Sequence, residues 1–328
     1  MALTNQRGIF SVEDVRLRQN TGYWPTSTGS LPTNNPLQIR PFGYFGGGFP
    51  GPTSTVDRID YSNDTATASL RGPLSVARQY SAATGNSSFG YFGGGLPTSS
   101  TVDRIDYSND TATASVKGPL SIAKYSPAAT GNSSYGYFGG GAFPVLSTVD
   151  RIDYSNDTGT ASPKGPLSVA RQFLAATGNS SFGYFGGGNP GPLSTVDRID
   201  YSNDTATASP KGPLSDVRYY LAATGNSSFG YFGGGAPGPF SAVYRIDYSN
   251  DTATASVRGP LSVARYYLAA TGNSSFGYFG GGITPSEVST VERIDYSNDT
   301  ATASVKGPLS VGRYRLAAAS PTANGLPQ

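Results

Sequence analysis

Cysteine and histidine are both absent from the 328 residues. Their absence excludes disulfides, thiolate nucleophiles, histidine general bases and the usual zinc and copper ligand sets. Any catalysis has to rest on carboxylates, tyrosines or lysines. Charge is scarce as well: Asp, Glu, Lys and Arg make up 13% of the chain, and the net charge is +2. No basic cluster suggests nucleic acid and no acidic tail suggests a basic partner. No apolar run is long enough to cross a bilayer as a helix, so membrane insertion is not expected. The opening stretch MALTNQRGIFSVEDVRL lacks the basic-then-apolar layout of a secretory signal.

Glycine (44) and proline (24) are plentiful, together about a fifth of the chain, and they recur at fixed places. The motif GYFGGG begins at Gly43, Gly90, Gly136, Gly183, Gly230 and Gly277, with spacings of 47, 46, 47, 47 and 47. A period of this size belongs to propellers or solenoids.

One unit, read from Ala82, contains four strand-like runs and no 3.6-residue periodicity. AAT is short and apolar, and GNSS follows as a turn. FGYFGGG is an aromatic strand ending in glycines. After a variable loop comes STVDRIDY, rich in β-branched residues. SND is a second turn, and TATAS reads as the outer strand. The linker GPLSVAR leads into the next AAT. Six such units predict an all-β fold: a six-bladed β-propeller of four-stranded antiparallel blades.

The aromatic pairs Tyr44/Phe45 through Tyr278/Phe279 are expected to pack blade on blade, with the glycines letting strands crowd near the axis. The first unit has no AAT before Phe42, and the last runs on through Leu316–Ser320 without a following GYFGGG. Residues 316–320 should therefore complete the first blade against Tyr44–Gly46, since two open edges would otherwise remain. This divides the chain into an arm (1–41), a propeller (42–320) and a tail (321–328).

In an up-and-down blade, GNSS and YSND share one face and are nearly identical in every unit. The loops after GGG and the triplets after the linker Arg or Lys share the other face, and these vary. That face carries Phe49, Phe143, Phe240, Tyr219, Tyr220, Tyr266, Tyr267, Tyr314 and Arg315. Aromatics beside guanidinium suit sugar rings or a protein partner. The other reading has them packing beneath the loops.

The basic residues Arg78, Lys124, Arg171, Arg218, Arg265 and Arg313 either line a positive mouth or bond carbonyls and aspartates of the blades. Asp57 and Asp60 point to opposite faces of a strand, poor geometry for joint acid–base work. Glu287 and Glu292 leave the repeat pattern but belong to one unit. No catalytic residue, metal or cofactor is expected.

The unit resembles a kelch repeat on three features: the double glycine Gly46–Gly47 after an aromatic strand, the strand Val56–Asp60, and the segment Pro73 to Arg78. The resemblance covers about residues 42–320. The kelch tryptophan of the outer strand has no counterpart, its place being taken by Ala66 or Thr67. Kelch-like oxidases use His ligands and a Tyr–Cys cofactor, which this composition rules out.

Before the repeats, Ser11 followed by Asp14 reads as the start of a short helix that stops near Asn20–Gly22, and Thr26–Pro36 as an extended linker. Such a segment has too little apolar area to fold alone, which suggests docking through Ile9, Phe10, Val12, Val15, Trp24 and Pro25; the other reading is a disordered tail or a strap across the propeller. Gly8, Ile9, Phe10, Ser11, Asp14, Val15, Trp24 and Pro25 resemble an N-terminal signature of structural and fibre proteins of tailed phages. The repeats YFGGG and STVDRIDYSNDTATAS resemble those of virion proteins of marine cyanobacterial phages.

The resemblance implies a virion structural protein, a capsid or tail appendage. Residues 1–41 would join other virion proteins, several copies would assemble on the particle surface, and the propeller would be displayed for host-surface adhesion or decoration. The alternative is a non-viral kelch-like protein- or glycan-binding module.

Overall fold

The computed structural model describes residues 42–191 and 193–322. The expected N-terminal helix, the linker, the docking residues from Ile9 to Pro25 and most of the tail lie outside these residues.

Six four-stranded antiparallel sheets follow one another around an axis. In the second blade the strands are Ala82–Gly85, Phe89–Gly93, Val102–Asp106 and Ser115–Lys117, from axis to rim. The first blade draws on both ends of the described chain. Phe42–Gly46, Val56–Asp60 and Ser69–Arg71 are joined by Ala317–Ala319, which pairs Tyr44 with Ala319, Phe45 with Ala318 and Gly46 with Ala317. The expected closure of the first blade against Tyr44–Gly46 is present.

One boundary differs from the sequence reading. The outer strand is Ser69–Arg71 and its equivalents, not TATAS. Residues 65–68 instead cross to the neighbouring blade. The Ala68 amide donates to the Pro308 carbonyl at 2.8 Å, and the Gly307 amide donates to the Asp64 carbonyl at 2.8 Å. The same two backbone bonds recur at each seam, as at Ala114–Pro73 and Gly72–Asp110. The competing demand is satisfaction of backbone groups between blades, which periodicity does not register.

The aromatic strand serves both neighbours. Tyr44 stacks on Tyr107 of the next blade with centroids 4.9 Å apart, and the same stack recurs at Tyr91–Tyr154, Tyr137–Tyr201, Tyr184–Tyr248, Tyr231–Tyr296 and Tyr278–Tyr61. These twelve rings form six stacks, one per seam. The phenylalanine beside each Tyr meets a glycine of the preceding blade. A Cβ on Gly46 would stand 2.7 Å from the Phe92 ring, and one on Gly280 would stand 2.7 Å from Phe45. The glycines thus seat a neighbour's ring rather than crowd strands at the axis. Gly47 and Gly48 supply positive φ (71° and 121°) where the chain leaves the strand for the variable loop.

A carboxylate locks each seam. Asp110 accepts from the Tyr44 hydroxyl (2.9 Å) and from Arg58 Nη1 (2.8 Å), both of the preceding blade. Arg58 lies 4.0 Å over the Phe42 ring on the way. Equivalent clasps run around the ring and end at Asp64, which receives Tyr278 and Arg293.

Candidate functional site

The two faces differ as the repeat pattern predicts. On the uniform face, Asn86 accepts from the amides of Ser88 and Phe89, and Asp60 caps a short 3₁₀ turn by accepting from the Ser62 amide. The same geometry returns in the other units.

On the variable face the six linkers meet at the axis. Tyr80, Ser126, Phe173, Tyr220, Tyr267 and Arg315 all adopt left-handed backbone, with φ between 55° and 60°. Each donates its amide to the carbonyl of the preceding one, at 2.8–3.2 Å. The cycle closes where Tyr80 donates to Arg315 and Arg315 donates to Tyr267. Left-handed backbone costs a residue with a Cβ roughly 1–2 kcal/mol, and the closed cycle of hydrogen bonds offsets that cost. Below this ring the channel is narrow, lined by Ala83, Ala129, Ala176, Ala223, Ala270 and Ala318 around a space of about 50 Å³.

The side chains of the ring cluster over the channel mouth. Tyr220 and Tyr267 are 3.9 Å apart, Phe173 and Tyr220 are 4.4 Å apart, and Tyr80 lies 5.5 Å from Phe173 and 5.7 Å from Tyr267. The Arg315 guanidinium sits among Tyr80 (4.5 Å), Tyr267 and Tyr314 (4.9 Å each) and Phe49 (5.4 Å), and Nη1 donates to Gln79 Oε1 at 3.0 Å. A recess of about 80 Å³ opens between these groups, bounded also by Ser81, Ser126, Pro127 and the leucines Leu174, Leu221, Leu268 and Leu316.

Of the residues expected on this face, Tyr220, Tyr267 and Arg315 come together at the axis. Tyr219, Tyr266 and Tyr314 stand one step outward and bridge to the variable loops through Ala236, Ile283 and Phe49. Phe240 is drawn into structural work, its ring 4.0 Å under the Arg218 guanidinium. Phe143 stands apart at a loop tip, 71% exposed. Tyr80, Ser81, Ser126 and Phe173 were missed by sequence reasoning. Tyr80, Ser126 and Phe173 occupy the same triplet position as Tyr220 and Tyr267, Ser81 that of Leu221 and Leu268, and the alignment of units carries that signal.

The linker cations do not line the mouth. Arg78 is buried and donates to the carbonyls of Gly94 (3.1 Å) and Thr101 (2.9 Å) and to Asp103 (2.9 Å), tying the linker to the blade it enters. Lys124–Asp150, Arg171–Asp197, Arg265–Glu292 and Arg313–Asp57 repeat the pair. Burial pulls the Arg78, Lys124, Arg171, Arg265 and Arg313 pKa values down, while the facing carboxylates of Asp103, Asp150, Asp197, Glu292 and Asp57 pull them up. In the fifth blade Tyr244 replaces the aspartate, and Asp216 supplies the carboxylate from the linker. Tyr244 donates to Asp216 at 2.5 Å, and Arg218 lies 3.5 Å from Asp216. Glu287, with Ser286, pairs with Ile283–Thr284 in a small hairpin that the sequence reading did not expect.

Among the described residues no group of three or more Asp or Glu side chains is arranged to hold a metal ion. No described helix is long and apolar enough to cross a membrane. No protein-family model matches the chain, and no curated protein matches it in sequence.

Proposed function

We propose that this chain is a virion structural protein of a tailed phage that works by contact rather than catalysis. Residues 1–41 attach it to other virion proteins, and the propeller is displayed for adhesion to a host surface or decoration of the particle. One observation carries the reading. The described chain enters and leaves the propeller on the uniform face, where Ser320 Oγ donates to the Phe42 carbonyl (2.9 Å) and Thr322 Oγ1 to the Gly272 carbonyl (3.2 Å). The residues that distinguish one unit from another converge on the opposite face, so attachment through the arm leaves that face available.

Within this proposal the blades are kelch-like. The Arg78–Asp103 pair that joins the linker segment Pro73 to Arg78 to the VDRID strand supports that reading, as does the packing of Phe92 on the double-glycine strand at Gly46. The buried carboxylates already serve as structural acceptors, which favours binding over chemistry. A second reading, a non-viral kelch-like glycan- or protein-binding module, draws on the axial recess alone, because that recess is complete without any attachment.

Immunogold electron microscopy of purified tailed-phage particles, with antibodies to the propeller, tests the first reading. Label at discrete capsid or tail positions, lost when residues 1–41 are deleted, is the expected result. Particles without label would transfer the weight to the second reading.

A further inference from the structure

Nineteen lysines and arginines lie among the described residues, and eighteen of them have a carboxylate within ion-pair distance. Arg315 is the exception. It replaces the aromatic residue that Tyr80, Phe173, Tyr220 and Tyr267 provide in other units, and the neutral Gln79 Oε1 is the acceptor its Nη1 meets. Two further departures from the repeat border the same recess. Ser81 stands where four units have leucine, and Ser126 where four have an aromatic residue. They are 8% and 5% exposed, and neither hydroxyl has a partner. In the ring order Tyr80 lies between Arg315 and Ser126, with Ser81 next to it. A cation without a counter-ion, two unpartnered hydroxyls and aromatic faces therefore share one cavity, in a protein that pairs its other described cations.

We propose that this recess binds an acidic saccharide, a sugar of the uronic-acid type. Its carboxylate meets the Arg315 guanidinium, its hydroxyls meet Ser81 and Ser126, and its ring lies against Tyr80, Tyr220 and Tyr267. Guanidinium and carboxylate match in a charge-assisted pair. Tyrosine faces supply the apolar platform that a pyranose ring requires. An extended acidic peptide fits less well: the six amides and carbonyls of the axial ring are bonded to one another, so no free backbone edge remains for strand addition. The inference rests on the variable face being the binding face and names the ligand class for it.

Calorimetric titration of the full chain with glucuronate, methyl glucoside and N-acetylaspartate tests this. Glucuronate is expected to bind at one site per chain, more weakly as salt rises, with methyl glucoside about tenfold or more weaker. Arg315→Tyr, which restores the residue found in three other units, should lose about tenfold or more in glucuronate affinity with an unchanged melting temperature. Ser126→Tyr, which fills the recess without touching the charge, should lose binding as well. Equal affinity for glucuronate and methyl glucoside, no binding of either, or an Arg315→Tyr variant that binds glucuronate normally would overturn the proposal. Tighter binding of N-acetylaspartate than of glucuronate would overturn the saccharide in favour of a peptide. Adhesion of the wild type and of Arg315→Tyr to host cells is read in parallel. Equal adhesion uncompeted by glucuronate removes the acidic sugar and leaves the binding face standing.

Discussion

Ala319 of the closing strand packs in one cluster with Tyr107 of the second blade, and the Tyr107 hydroxyl has no hydrogen-bond partner. In the other five units the position of Ala319 is a threonine whose hydroxyl meets the corresponding tyrosine, as Thr84 meets Tyr154 at 3.3 Å. The closing strand reads AAAS where the others read AATG, and one buried hydroxyl is left over.

Ala319→Thr should therefore stabilise the propeller by about 0.5–1.5 kcal/mol, the net value of one buried hydrogen bond. A denaturant midpoint that moves up with an unchanged slope is the expected outcome. Thr84→Ala, which makes the same gap at another seam, should lower the midpoint by a similar amount.

Closure depends on three residue pairs between Ala317–Ala319 and Tyr44–Gly46. Ala319→Pro removes the ladder donor that faces Tyr44 and should destabilise by about 1–3 kcal/mol. With the first blade unzipped, the exposed edge of Phe42–Gly46 should promote association, visible as larger species in size-exclusion chromatography.

The fifth blade offers a double-mutant cycle. Asp216→Val restores the residue of other linkers but leaves buried Arg218 without a carboxylate. It should cost about 1–3 kcal/mol in chemical denaturation, less than removal from a fully buried pair because Asp216 is 65% exposed. Adding Tyr244→Asp rebuilds the pair of the other blades and should recover most of the loss. Additive losses in the double variant would show that the two substitutions are not coupled.

High pH should unfold the protein cooperatively. The hydroxyls of the twelve stacked seam tyrosines are raised above their ordinary value of 10. Burial is the largest cause in each, and the Asp acceptor adds to it in Tyr44, Tyr91, Tyr137, Tyr184, Tyr231 and Tyr278. Unfolded tyrosines ionise near pH 10, so above that the unfolded chain binds fewer protons than the folded one. This stabilisation is whole below about pH 10 and is lost progressively as pH rises toward the folded values. Tyrosinate absorbance of the twelve seam rings should appear together with the loss of circular dichroism. More tyrosinate than the ten other tyrosines of the 22 can supply, formed before the loss of structure, would contradict buried seams.

Much of this architecture was legible because it repeats. The spacing of GYFGGG sets the blade count, and the missing AAT before Phe42 identifies the partner of the closing strand. The outer strand was misplaced because TATAS has strand composition, while the seam bonds at Ala68 and Gly307 decide its backbone. The glycines were assigned the wrong task because a sequence does not show which ring a missing Cβ admits. The axial ring was hidden for another reason: Tyr80 or Phe173 in left-handed backbone has no local signature, and only the meeting of six linkers makes that conformation favourable. Arg315 was read as one of several surface candidates. Its distinction, a cation without a carboxylate, emerges only once the partners of the other described cations are known.

The most direct test of the account is competition for host attachment. The full-length chain is added to tailed-phage particles and host cells, alongside a variant altered on the variable face (Tyr220→Ser with Tyr267→Ser) and one altered on the uniform face (Ser88→Ala with Ser134→Ala). The account predicts that the wild type and the uniform-face variant both reduce attachment, while the variable-face variant, folded by circular dichroism, does not. Competition by the variable-face variant equal to that of the wild type would contradict it.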